Sequence, residues 1–242
     1  MRLPRGCART LLLALGLCCG AQAAGGTDDP LERYNRAMFA FNETADRYLL
    51  KPVARGYRAL APDPVERGIA RAFDNLWEVV NVANDLLQGK PRQALNDGGR
   101  FLVNSTLGIL GFFDVASSLG LPKSEGEDFG QTLGRWGVGP GPYLVLPLLG
   151  ASTLRDAPAR VVDWFANPVN HVDELELRYA LNALDAVATR AELLDAEQLV
   201  SGDRYTFIRD VYLQRRAWLV SDGRLEDAFG SDFDEEGYYD YQ

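Results

Sequence analysis

The chain offers few side chains that could do covalent or metal chemistry. His171 is the one histidine in 242 residues, and the three cysteines (Cys7, Cys18 and Cys19) all lie near the start. That inventory excludes a zinc site built from His and Cys. A Ser-His-acid triad could enlist His171, but no G-x-S-x-G turn exists to present the serine. Beside Asn170, His171 reads as a cap or surface residue. Gly137-x-Gly139-x-Gly141 imitates a nucleotide loop. Pro140 and Pro142 strip it of N–H donors, and no helix start follows. Asp232, Asp234, Glu236 and Gly237 imitate the opening of a calcium loop whose twelfth, bidentate position would fall beyond Gln242. Carboxylates are numerous enough for a two-acid hydrolase, and that reading stays open on residue types alone. The rest of the inventory points to a protein that is not an enzyme and uses no metal and no cofactor.

A different chemistry is written in the middle of the chain. Phe129-Gly130-Gln131-Thr132-Leu133-Gly134 runs into Trp136-Gly137-Val138-Gly139-Pro140-Gly141-Pro142-Tyr143, then Leu146-Pro147 and Ser152-Thr153-Leu154-Arg155-Asp156. Between Gly126 and Gly150 stand 7 glycines and 3 prolines in 25 residues. That density predicts neither helix nor central strand. The stretch is also too apolar for a solvated linker. The expectation is a compact loop braced by aromatics, with room for one short hairpin, forming a shaped wall or passage.

The elements that must hold such a loop read as helices. Asp29 caps the first, Pro30 fills its first position, and Glu32 follows three residues after the cap. Leu31, Tyr34, Met38, Phe41, Ala45 and Tyr48 then form one apolar stripe. Lys51-Pro52 is expected to break this helix and open a short one with Val53, Tyr57 and Leu60 inward. Asp63-Pro64 repeats the cap-and-proline start. Val65, Ile69, Phe73, Leu76, Val80, Ala83 and Leu87 carry the longest periodic pattern, which Gly89 ends. Amphipathic helices are also predicted over Asp173 to Leu194 and Asp203 to Leu219. Sustained two-residue alternation is absent, so the class is all-α.

Phe101 to Leu121 stands apart. Its 21 residues hold one charge, Asp114, and the apolar residues fall on every side. Two readings compete. One is a pair of buried core helices joined near Gly111. The other is a segment lodged in one bilayer leaflet without crossing it. Asn104, Ser105, Thr106 and Asp114 argue against a lipid-exposed span, because each would need a partner inside hydrocarbon.

The start of the chain reads as a targeting segment. Arg2, Arg5 and Arg9 precede an apolar run from Thr10 to Cys19, and Ala21-Gln22-Ala23 is a small-x-small cleavage site. Cleavage after Ala23 is expected. The alternative is lipidation at Cys18 or Cys19, although Leu17 and Cys18 are poor residues to precede an acylated cysteine. Without the leader no cysteine remains, so an exported chain must rely on its own core. The domain boundaries follow: residues 1–23 leader, 24–220 one helical domain, 221–242 an acidic, disordered tail. The whole chain carries 25 basic and 34 acidic residues, net −9. Loss of the three leader arginines takes this to −12. Such a balance excludes nucleic acid as a partner and docking on anionic lipid by charge alone.

These residues together carry a resemblance. Asn35-Arg36-x-Met38-Phe39-x-Phe41-Asn42, Lys51-Pro52-Val53-Ala54 and Leu86-Leu87-Gln88-Gly89 match the start of the MlaA/VacJ family. Arg100-Phe101-x-x-Asn104-Ser105-Thr106-x-Gly108-x-x-Gly111-x-x-Asp114-Val115-Ala116 and the Phe129 to Asp156 run match its centre. Arg190-x-x-Leu193-Leu194-Asp195 and Tyr205-x-x-x-Arg209-x-x-Tyr212-x-Gln214-Arg215-Arg216 match its end. The chain therefore resembles that family from about Asp29 to Arg216.

The resemblance implies a ring-like helical lipoprotein of the outer membrane, seated in the inner leaflet and facing the periplasm. It implies a channel that takes mislocalised phospholipids from the outer leaflet and passes them to a periplasmic lipid-carrier protein, so that lipid asymmetry is kept. Trimeric porins are implied as partners. On that footing Phe101, Asn104, Leu107, Phe112, Phe113 and Asp114 are expected to face lipid or the channel, with Asn104 and Asp114 turned inward. Phe129, Trp136, Gly137, Gly139 and Tyr143 are expected in a loop that shapes or gates the opening. The poor lipobox departs from the family pattern. A periplasmic adaptor that grips porins or cell wall and moves no lipid is the competing reading.

Overall fold

A computed structural model describes residues 29–195 and 202–224. The leader, Cys18 and Cys19, the calcium-like run and most of the expected acidic tail lie outside the described residues. In chain order the helices are α1 (Glu32–Ala45), α2 (Lys51–Leu60), α3 (Asp63–Leu87), α4 (Pro91–Thr106), α5 (Val115–Ser118) and α6 (Phe129–Arg135). A hairpin of β1 (Tyr143–Leu146) and β2 (Gly150–Thr153) follows, then α7 (Asp156–Ala166), α8 (Leu175–Glu192) and α9 (Arg204–Val220). The described chain is helical apart from that one hairpin, whose antiparallel register runs from Tyr143 opposite Thr153 to Leu146 opposite Gly150.

Several starts and stops obey their sequence signals. The Asp203 carboxylate accepts from the Tyr205 N–H and caps α9. Gly89 closes α3 with φ +75°, a left-handed geometry that costs other residues strain. Asp29 instead opens a turn ahead of α1, its carboxylate accepting from the Leu31 N–H at 3.0 Å. The helix starts at Glu32 with Leu31 in the cap position, later than the Asp29-Pro30 signal places it.

Three more expectations are corrected. Lys51-Pro52 does not break the first helix. A π-helical turn, Asp46–Leu50, carries the backbone straight from α1 into α2. Pro52 sits in the first turn of α2, where its missing N–H costs little. Second, Val53 and Leu60 do not point inward: they are 49% and 86% exposed. Third, Phe129 to Arg135 is a helix despite its two glycines. The Asp128 side chain caps it by accepting from the Gln131 N–H at 2.8 Å. Gly130 and Gly134, one turn apart, are where neighbours press close. A Cβ on Gly130 would stand 2.5 Å from an Asp156 oxygen, and one on Gly134 would stand 2.8 Å from Val220. Absence of side chains there admits α7 and α9, and that packing outweighs the low helix propensity.

The elements close a circuit. α1 packs on β1, β2 on α9, α9 on α6, α6 on α3, α3 on α8, α8 on α2, and α2 returns through the π turn to α1. α4 lies along α3 as the most extensively packed helix pair, and α7 packs on α6 and β2. The result is a ring of helices around a centre.

Two asparagines stitch the hairpin to α1. The Asn35 amide donates to the Tyr143 carbonyl at 3.0 Å and accepts from the Val145 N–H at 2.8 Å. Asn42, seven residues on and so on the same face, donates to the Leu146 carbonyl and accepts from the Leu148 N–H. Each side-chain amide acts as a strand neighbour would, and β1 acquires partners on its free edge. Tyr143 and Tyr205 meet edge-to-face against this seam, with ring centroids 6.2 Å apart.

Candidate functional site

The ring inverts the usual distribution of polarity. Among the described residues, 19 polar or charged residues are buried against 12 apolar ones, and 34 large apolar side chains are exposed. Leu86, Leu95, Leu102, Leu148, Leu149 and Phe165 are each 60% exposed or more. Scattered exposed leucines are ordinary, but so many on a chain with a polar interior mark an apolar exterior. No helix among the described residues is long and apolar enough to cross a membrane.

The polar interior surrounds a cavity of about 580 Å³. α3 contributes Asp74, Glu78 and Asn81, α6 contributes Gln131, α7 contributes Asp156 and Asp163, and α9 contributes Arg215 and Arg216. A second cavity of about 520 Å³ shares Lys123, Ser124, Glu125, Glu127 and Gln131 with the first. A third, about 120 Å³, is lined by Arg71, Asn75, Arg100, Asn104, Gly111 and Asp114, and shares Asp74, Glu78 and Lys123 with the first.

Ion pairs and helix termini hold this interior open. Arg216 of α9 spans two helix starts: it donates to Asp128, which caps α6, and to Asp156 in the first turn of α7, each at 3.0 Å. Both carboxylates are held below the usual range. Burial opposes this, and the Arg216 guanidinium together with Arg155 and the cap N–H overcomes it. Asp163 accepts from the Phe129 N–H and the Asn84 amide but from no cation. Burial pushes it up to about 6. Arg100 of α4 is buried and bonds Glu78 of α3, the Ser117 hydroxyl, the Leu121 carbonyl and Asp114. One guanidinium thereby ties α3, α4 and the turn after α5 together. Asp85 is fully buried with neither carboxylate oxygen hydrogen-bonded. Burial, with Asp97 and Glu127 close by, pushes it up to about 8.

A family model described as MlaA lipoprotein matches residues 27–218. The chain belongs to the MlaA lipoprotein family. It is 38% identical over 229 residues to the intermembrane phospholipid transport system lipoprotein MlaA of Escherichia coli (strain K12), covering 90% of this chain and 91% of that one. It is 37% identical over 212 residues to the protein of the same name from Haemophilus influenzae (strain ATCC 51907 / DSM 11121 / KW20 / Rd), covering 82% and 81%. A solved structure described as "Structural basis for maintenance of bacterial outer membrane lipid asymmetry" aligns with TM-score 0.71 and 36% identity, over 80% of this chain and 99% of that chain.

Within this MlaA-family fold the residues singled out by sequence divide into three groups. Asn104 and Asp114 do meet in the interior, on the smallest cavity, but their first task is local. The Asn104 amide donates to Asp114 and accepts from the Ala116 N–H, and Asp114 caps α5 by accepting from the Ser117 N–H. Gly111 turns beside them at φ +91°, with Asn75 where a Cβ would stand. Leu107, Ile109, Leu110 and Phe113 form an exposed apolar tip between α4 and α5, each at least 50% exposed. The reading of Phe101 to Leu121 as buried core helices fails there. Phe112 packs its ring over Gly68 of α3, and Phe101 is half-buried.

The expected gating residues separate. Phe129 and Trp136 meet edge-to-face at 6.1 Å across α6, and the Trp136 indole donates to the Leu87 carbonyl. Gly137 and Gly139 stand in open space on the exposed loop. Tyr143 is a core residue, 5% exposed, rather than part of an opening. His171 ends a 3-10 turn, Pro168–His171, with its ring against the Phe165 carbonyl. Asp222 is no part of a loose tail: it pairs with Lys90 and Arg135. Sequence reasoning missed Gln131, Asp163 and Arg216, the polar residues that line the main cavity. The signal was present in Asp128, Asp156 and Asp163, charges placed within or beside an otherwise apolar run.

Proposed function

We propose that the chain is the outer-membrane component of an intermembrane phospholipid transport system that maintains lipid asymmetry. One observation carries the physical argument: a ring with apolar residues outside encloses charged cavities. Phospholipid is an amphiphile, and moving its headgroup through hydrocarbon means desolvating charge at several kcal/mol or more. A wet, charged interior removes that cost, while the acyl chains stay in lipid. The 580 Å³ cavity falls in the range of about 300–1,000 Å³ usual for ligand sites, room enough for a headgroup.

On this reading the exposed faces, led by the Leu107–Phe113 tip, seat the ring in the inner leaflet. The adjoining cavities form the passage, and lipid leaves it toward a periplasmic carrier. A trimeric porin would grip part of the apolar exterior. The cycle forms no covalent intermediate: binding and release are enough.

The test is lipid analysis. A strain lacking this gene should accumulate phospholipid in the outer leaflet of the outer membrane, and the wild-type gene should restore asymmetry. Asymmetry that is unchanged on deletion would overturn the reading. Purified protein should also carry phospholipid, which an adaptor would have no reason to retain.

A further inference from the structure

We infer that the main cavity selects phospholipid by headgroup, favouring a zwitterionic headgroup that ends in a primary amine over a purely anionic one. This rests on the transport reading above and specifies its substrate. Seven carboxylates and four cationic side chains line the cavity. The cations are largely committed to protein groups. Arg216 is clasped by Asp128 and Asp156, Lys123 pairs with Asp74 at 2.6 Å, and Arg160 donates to the Leu149 and Ala151 carbonyls. Arg215 alone of the four has no hydrogen-bond or ion-pair partner among the described residues.

Five of the seven carboxylates are paired with cations, and two are not. Glu125 has no hydrogen-bond or ion-pair partner among the described residues, and Asp163 takes only neutral donors. Gln131 supplies the independent sign of a ligand. It is 3% exposed, and its carbonyl oxygen has no hydrogen-bond partner. Its amide nitrogen faces two acceptors, the Gly126 carbonyl and Asp128, so the oxygen is the end left over. A buried acceptor left unpaired costs about 1–3 kcal/mol. The Gln131 oxygen is sealed by its neighbours, so an arriving N–H donor recovers that cost once the side chain turns toward the cavity.

Gln131 and Glu125 line both large cavities, so a headgroup passing between them meets both. Unfilled acceptors with a single free cation match a phosphate tethered to an ammonium. A phosphate bearing only glycerol brings its negative charge into an acidic field and has no amine to offer Gln131. A quaternary ammonium satisfies the field but has no N–H to donate.

The experiment incubates the purified full-length protein with vesicles of equal phosphatidylethanolamine and phosphatidylglycerol with matched acyl chains. The protein is then recovered and its bound lipid quantified by mass spectrometry. Ethanolamine lipid should exceed glycerol lipid at least about threefold, the size of one partly exposed charge interaction. Phosphatidylcholine offered in place of ethanolamine lipid should give a smaller excess.

Glu125→Gln, at an exposed position, should reduce the ratio, and adding Gln131→Met should bring it to unity. Free phosphoethanolamine should not displace the lipid. A wild-type ratio of one or below overturns the selectivity and leaves transport standing. Wild-type protein that takes up neither lipid overturns the transport reading itself. A ratio unchanged in the folded Glu125→Gln protein removes the cavity as its cause, and displacement by the free amine makes the ligand a soluble amine.

Discussion

Arg216 is the residue on which the interior depends most. Its guanidinium bridges two carboxylates that sit at helix N-termini, so Arg216→Leu would leave Asp128 without a cation and Asp156 with Arg155 alone. Breaking a buried pair by removing one partner costs about 3–5 kcal/mol. Urea unfolding of Arg216→Leu should show a loss of that order. Arg216→Lys should recover part of it, because one ammonium cannot match a planar fork. Asn35 makes a smaller but cleaner case. Asn35→Leu keeps the branched shape and orphans the Val145 N–H and the Tyr143 carbonyl. The expected loss is about 1–3 kcal/mol, read as a lower thermal midpoint.

The α3–α4 pair carries a pH dependence of its own. Asp85 on α3 has a folded value of about 8 against 3.8 when free, because burial, with Asp97 and Glu127 nearby, outweighs Lys90. The folded chain therefore keeps a proton that the unfolded chain gives up. The penalty is absent below pH 3.8, grows as pH rises, and is complete above about 8. Asp114 works the other way. Despite the opposing effect of burial, hydrogen bonds from Ser117 and Asn104, with Arg100 beside it, take it down to about 2. Its contribution is present above pH 3.8 and is lost as pH falls toward 2. Thermal melts from pH 5 to pH 9 should show a falling midpoint, and Asp85→Asn should flatten the curve. An unchanged slope in Asp85→Asn would show that another group carries it.

At the scale of the molecule, the proposed seating in a leaflet rests on the apolar exterior. The Leu107–Phe113 tip holds two non-glycine residues, Ile109 and Leu110, in left-handed backbone at φ 54° and 56°. Such geometry costs roughly 1 kcal/mol or more per residue. It presents both side chains to the outside at 66% and 72% exposure. Ile109→Asp with Leu110→Asp touches nothing buried, so the fold should survive by circular dichroism. Flotation with vesicles of outer-membrane lipid should drop severalfold, because each lost aliphatic side chain forfeits about 1.5–3 kcal/mol of burial. Full flotation of that variant would mean the tip does not enter lipid.

The sequence by itself determined helices α1, α2, α3, α8 and α9, the stop at Gly89, the hairpin in the Gly/Pro region and the family. All of these are local signals, written in neighbouring residues. Sequence could not say which way the apolar stripes face. Leu60 and Leu87 obey the same periodicity whether they meet a protein core or a bilayer, since both are hydrocarbon. The helix at Phe129–Arg135 was illegible for a related reason: its glycines look like breakers until α7 and α9 are seen pressed against them. The polar centre was decided by tertiary structure alone. Arg216 finds Asp128 and Asp156 across 88 and 60 residues of sequence, and Asn35 finds Val145 across 110. No local pattern encodes such separations. Only closure of the ring brings these charges together, and the same closure turns the leucines out.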